Sequence, residues 1–132
     1  MTVGDNGQIS LWSTRKKTPV CSKTNAHGID EKNETSRWIS SLAILQTSDF
    51  IATGSYDGFI RLWKVNSKLK AITQLEEIKV EGFVNDLAFT SDGKVLVAAI
   101  GQEHRLGRWW RNTEAKNQLM CIQLNYGDVE NE

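Results

Sequence analysis

The chain has 132 residues, 39% of them hydrophobic, and its sixteen basic and sixteen acidic side chains leave a formal net charge of zero. That balance lies outside the disordered, collagen-like and membrane classes, and it gives the whole chain no electrostatic pull toward nucleic acid or a membrane surface. Residues 1–12 lack the charged start and apolar run of a signal peptide, and no stretch approaches the ~18 apolar residues of a membrane span, so neither secretion nor a membrane partner is expected. Cys21 and Cys121 stand far apart without CxxC spacing, which suits two buried thiols in a reducing compartment better than a disulfide scaffold.

In chain order, residues 1–26 read as half a repeat unit, its last two strands. One strand lies near 8–13 and the other near 20–23, entered through Pro19, with Arg15, Lys16 and Lys17 in the turn between them. Residues 27–80 form a complete unit with strands at 39–45, 50–55, 59–65 and 72–80 and a polar insertion at 28–37. Residues 81–124 form a degenerate unit with strands near 84–89, 94–100, 105–111 and 119–124 and a second polar insertion at 112–117. Residues 125–132 are a polar, acidic tail. Short alternating segments separated by Asp-Gly and Ser-Asp-Gly turns favour strands over helices. The segment from Asn6 to Trp12 returns as Asp57 to Trp63, and Trp38 to Ile44 returns as Phe83 to Phe89. Repeats of about 50 residues mark propellers or solenoids.

Gly54-Ser55-Tyr56-Asp57-Gly58-Phe59-Ile60-Arg61-Leu62-Trp63 resembles the turn and third strand of a WD-repeat blade. The Gly-Gly signature of kelch repeats, which have a similar period, is absent. The resemblance implies an all-β WD40 β-propeller fragment of about two and a half four-stranded antiparallel blades. It also implies a buried tetrad of His27, Thr53, Asp57 and Trp63, and the donor and acceptor inventory of those side chains suits one: an indole N–H, a hydroxyl, an imidazole and a carboxylate. Asn6 stands where Asp57 would be in the half unit, and the last unit has no clear equivalent. A partial ring leaves apolar sheet faces that neighbouring blades would cover, so the remaining blades of its own propeller are expected partners and the chain alone is expected to be marginal or to self-associate.

The segment Gly101-Gln102-Glu103-His104-Arg105-Leu106-Gly107-Arg108-Trp109-Trp110-Arg111, with Trp38-Ile39-Ser40-Ser41 and Ala52-Thr53-Gly54-Ser55, is similar to the C-terminal part of the U3 small nucleolar RNA-interacting WD-repeat family, over nearly the whole chain. That resemblance implies a component of the U3 small nucleolar ribonucleoprotein (snoRNP) in the nucleus and nucleolus, acting in pre-rRNA processing. Its implied partners are the box B/C region of U3 small nucleolar RNA and the U3 snoRNP core proteins. The alternative is a generic WD-repeat protein–protein interaction scaffold without direct RNA contact.

Guanidinium groups bind phosphate and aromatic rings stack on bases, so His104, Arg105, Arg108 and Arg111 are candidate RNA contacts, with Lys16 and Lys17 behind them. On one extended strand Arg105, Gly107, Trp109 and Arg111 would face one way and Leu106, Arg108 and Trp110 the other. Aligning Arg61-Leu62-Trp63 with Arg108-Trp109-Trp110 makes Trp110 the repeat tryptophan and assigns both indoles to the core. His27, His104, Cys21 and Cys121 lack the close pairing of a zinc site. Asp57 and His27 make two thirds of a triad, but no nucleophile elbow or phosphate-binding glycine loop accompanies them. No enzyme activity, cofactor or metal is expected.

Overall fold

In a computed structural model, which describes residues 1–125 apart from the side chain of Arg108, every regular element is a β-strand. The expected acidic tail lies, from residue 126 onward, outside the described residues. The first sheet is antiparallel and ordered β1 (Thr2–Val3), β2 (Ile9–Leu11), β3 (Cys21–Lys23). Its β1 is an additional strand beside the two expected. The insertion expected as a loop carries a small hairpin, β4 (Ile29–Asp30) and β5 (Thr35–Ser36). The central sheet has four antiparallel strands in sequence order, β6 (Ser41–Ile44), β7 (Phe50–Gly54), β8 (Phe59–Asn66) and β9 (Ala71–Lys79).

The central sheet is apolar on both faces because its alternation places a different set on each side. Ile51, Trp63 and Val65 pack with Ile9, Ala26 and Ile39 toward the first sheet. Ala52 and Ile60 pack with Val84, Leu87, Leu96 and Ala98 toward the next sheet. On β9, Ile72 joins the first cluster while Ile78 packs against the second. Both positions are even-numbered, so strict alternation would place them on one face. The register shifts between Leu62 and Trp63, which pair with Glu76 and Gln74 and leave Leu75 over. This bulge turns the strand over midway, which is how one strand serves two cores.

The third sheet departs from expectation. It is ordered β10 (Phe83–Phe89), β11 (Val95–Gly101) and β14 (Gln118–Gln123), and the segment expected as its third strand is not part of it. That segment folds back on itself as a separate hairpin, β12 (Glu103–His104) and β13 (Gly107–Arg111). The strand expected as fourth, β14, pairs directly with β11 from Val95↔Gln123 to Ile100↔Gln118. Among the described residues this sheet therefore has three strands.

Connections in an antiparallel sheet alternate between its two ends. The 24–40 segment with β4–β5, the turn Ser55 to Gly58, the β9–β10 connection and the β12–β13 hairpin thus share one end. Hydrogen bonds tie them together there: Val80 N–H to Gly58 O at 2.9 Å, Val84 N–H to Ser55 O at 3.1 Å and Ile39 N–H to Gly4 O at 3.0 Å. The β2–β3 turn lies at the other end.

Candidate functional site

The four tetrad residues lie together at the hairpin end of the central sheet. Trp63 Nε1–H donates to Thr53 Oγ1 at 2.9 Å, Thr53 Oγ1 and His27 Nε2 are 2.8 Å apart, and His27 Nδ1 is 2.9 Å from Asp57 Oδ2. Asp57 also accepts the Phe59 N–H through Oδ1 at 3.1 Å, which closes the tight turn. The chain is self-consistent if the Thr53 hydroxyl donates to Nε2 and the imidazole carries its proton on Nδ1. His27 keeps its place despite the insertion because the insertion leaves and returns at one point. Arg37 N–H donates to Gly28 O at 3.0 Å, and Arg37 Nη1 donates to His27 O at 3.2 Å. The sequence reading missed Arg61, whose Nη2 donates to Asp57 Oδ2 at 3.3 Å and whose Nη1 donates to Ala26 O at 3.1 Å. Its place on the Asp57–Trp63 face, two residues before the tryptophan, was the available signal. This network is buried and built for stability, with no solvent-facing reactive group.

The solvent-facing chemistry at this end belongs to the β12–β13 hairpin. A β-bulge at Asn85, between Val84↔Ile100 and Asp86↔Ala99, turns that side chain toward it. Asn85 Nδ2 donates to Glu103 O at 2.9 Å, and Asn85 Oδ1 accepts the Arg105 N–H at 3.1 Å, so a single amide fixes the hairpin's first strand. The rest of the anchorage is aromatic. His104 stacks on Trp38 with centroids 4.8 Å apart and planes 9° from parallel. Trp110 meets Tyr56 at 4.6 Å and the edge of Phe83 at 5.5 Å. Such pairs contribute about 0.5–1.5 kcal/mol each beyond area burial. Burial and the neighbouring Asp30 carboxylate hold the Tyr56 phenol above its ordinary pKa, and the phenol donates to Asp30 Oδ2 at 3.3 Å.

This arrangement revises several expectations. Trp109 and Trp110, expected in the core, are 64% and 43% exposed. The repeat alignment that buried them fails because β13 never joins a blade sheet. His104, expected among the RNA contacts, is only 6% exposed and is a packing residue. Arg105 is exposed at the hairpin tip. Arg111 is also exposed, but its Nη2 donates to Gln102 Oε1 at 3.0 Å and its Nε lies 3.8 Å from Glu103 Oε1. The Arg108 side chain lies outside the described residues. Lys16 and Lys17 are exposed in the β2–β3 turn, at the opposite end from the hairpin, so the six candidates do not form one patch. The two thiols, expected to be buried, are half-buried at Cys21 and exposed at Cys121. No cluster of three or more potential metal ligands occurs among the described residues.

The surroundings of His104 predict a pH dependence for the hairpin. Its Nδ1 accepts the Leu106 N–H at 3.1 Å, and burial first, then the Arg105 charge, push its pKa below the ordinary histidine value. With the folded value depressed, the unfolded chain takes up the proton first. Stability is therefore intact above the unfolded value of about 6.5 and declines as pH falls from there toward the folded value. We expect the Leu106 amide to lose hydrogen-exchange protection between about pH 7.5 and pH 5, and His104→Gln to abolish that dependence. Equal protection at both pH values in the unsubstituted chain would contradict the assignment.

Residues 21–64 match the family described as WD domain, G-beta repeat. The chain is 43% identical over 122 residues to U3 small nucleolar RNA-interacting protein 2 of Homo sapiens, covering 91% of this chain and 26% of that protein. It is 32% identical over 156 residues to Ribosomal RNA-processing protein 9 of Saccharomyces cerevisiae, covering 95% of this chain and 27% of that protein. The crystal structure of RRP9 WD40 repeats is similar at a TM-score of 0.89 and 42% identity, covering 93% of this chain and 38% of that one. The chain thus spans about a quarter of the length of these curated relatives. With its sheets in the arrangement of solved WD40 repeats and its identity to these relatives spread over nearly its whole length, the chain is similar to one segment of the WD-repeat U3 small nucleolar RNA-interacting proteins.

Proposed function

We propose that this chain is an RNA- and protein-binding propeller segment of a U3 snoRNP component that acts in pre-rRNA processing in the nucleolus. The observation that carries the reading is the 43% identity, over 91% of the chain, to a protein named for its interaction with U3 small nucleolar RNA. Its partners in this reading are the box B/C region of U3 RNA, the core proteins of that particle and the remaining blades of its own propeller. The chain's part is binding rather than catalysis. Its buried Asp57 and His27 are consumed in a structural network, and its exposed end offers arginines and indoles, groups suited to phosphate and base contact.

The test is recovery of U3 RNA with the intact, tagged protein from cell extract, before and after nuclease treatment. The expected result is U3 RNA enriched in the untreated sample and bound directly by the purified protein, with affinity falling as salt rises. Association with U3 particle proteins that survives nuclease treatment, without any affinity of the purified protein for U3 RNA, would instead establish a protein-interaction scaffold.

A further inference from the structure

We infer that Trp109 is a stacking platform for an unpaired RNA base, displayed by the β12–β13 hairpin with Arg105 as its flanking phosphate contact. This deepens the proposed function and rests on it.

The indole is exposed yet held. It is 64% exposed, although the hairpin carrying it is fixed to the sheets by the Asn85 amide, the His104–Trp38 stack and the packing of Trp110 on Tyr56 and Phe83. Trp109 itself leans on this base, 5.8 Å from His104 and 6.4 Å from Trp38. Gly107 lies under its six-membered ring, where a Cβ would overlap the ring carbons. A large ring immobilised from below and open above has already lost the rotamer freedom that binding would otherwise cost. Exposing it has no value to the fold of the described residues, because Trp110 and His104 already supply the hairpin's packing.

The surroundings select the occupant. Residues 103–111 contain Arg105, Arg108 and Arg111 against the single acid Glu103, in a chain whose net charge is zero. Leu106 is the only aliphatic side chain of that segment. A ring on a segment rich in arginine and poor in aliphatic side chains complements a base and its phosphates better than an apolar protein face. The stacked base must be unpaired, since a base within a duplex presents no free face.

The test measures affinity of the intact protein for U3 RNA, for a mixed-sequence single-stranded oligoribonucleotide and for the same strand annealed to its complement, at several salt concentrations. Trp109→Ala is expected to weaken binding to the U3 transcript and the single strand about tenfold or more, with the salt slope unchanged and the duplex affinity unaffected. Trp109→Phe should retain part of the affinity. Arg105→Ala should weaken binding and lower the salt slope by about one. Thermal melts of the Trp109 variants should still show a cooperative transition, because the Asn85 amide, the His104–Trp38 stack and Trp110 keep the hairpin anchored. If the unsubstituted protein fails to bind U3 RNA, the proposed function fails and the inference falls with it. If it binds and Trp109→Ala binds equally well, the inference alone is overturned. Loss of a U3 particle protein from Trp109→Ala with RNA affinity intact also overturns it and makes the ring a protein-docking residue.

Discussion

Asp57→Ala is expected to lower stability by about 3–5 kcal/mol, a large fraction of the about 5–15 kcal/mol that holds a domain folded, and so to move the urea midpoint far down. The carboxylate is 2% exposed and receives three donors: His27 Nδ1–H, the Phe59 N–H and Arg61 Nη2. Truncation removes a single small side chain but strands all three donors, including a guanidinium whose Nε is already buried without a partner. The largest part of the loss comes from the uncompensated Arg61 charge, so Arg61→Met in the Asp57→Ala background should restore more than a kcal/mol of the loss, about the size of coupling seen between residues in one network. His27→Ala should fall short of Asp57→Ala, since it leaves Asp57 its arginine and its turn amide. Urea unfolding followed by tryptophan fluorescence measures all three. An Asp57→Ala midpoint indistinguishable from the unsubstituted chain would mean the network contributes nothing to the fold.

The tetrad was legible through the resemblance of residues 54–63 to a WD-repeat blade, which places three of its members directly: Thr53, Asp57 and Trp63 fall on one turn and the strands flanking it. Only His27 required a reach across an insertion, and the insertion closes on itself between Gly28 and Arg37. The third sheet was misread for a definite reason. Arg108-Trp109-Trp110 imitates Arg61-Leu62-Trp63, and pattern matching cannot see that β11 takes its hydrogen bonds from residues 118–123 instead. Two strands of two and five residues are also too short to announce a hairpin by periodicity. The stacking of His104 on Trp38 joins positions far apart in sequence through two loops, and no local signal encodes it. The exposure of Trp109 follows from the same hidden hairpin, so the ring proposed for base stacking was the part least visible.

Gly54→Ala is expected to destabilise by about 3 kcal/mol, although it adds only one methyl group. Overpacking costs about 1–3 kcal/mol where neighbours cannot give way, and each displaced hydrogen bond adds about 0.5–1.5. Gly54 sits against the start of the third sheet, and a Cβ there would overlap the Val84 side chain and Ser41 Oγ. Neither neighbour is free to move. Val84 is fully buried, its N–H donates to Ser55 O at 3.1 Å, and its carbonyl accepts from Ser40 Oγ at 2.7 Å and Ser41 Oγ at 3.0 Å. Gly54 O in turn accepts the Ser40 N–H at 2.9 Å. The added methyl must therefore part the two sheets where these hydrogen bonds stitch them, and the Asn85 anchor of the hairpin lies one residue beyond Val84. Gly54→Ala should accordingly show two linked effects: a lower urea midpoint, and loss of amide protection at Val84 and Arg105 before global unfolding. A variant with both properties unchanged would show that the sheets can separate without cost and that Gly54 is incidental to their packing.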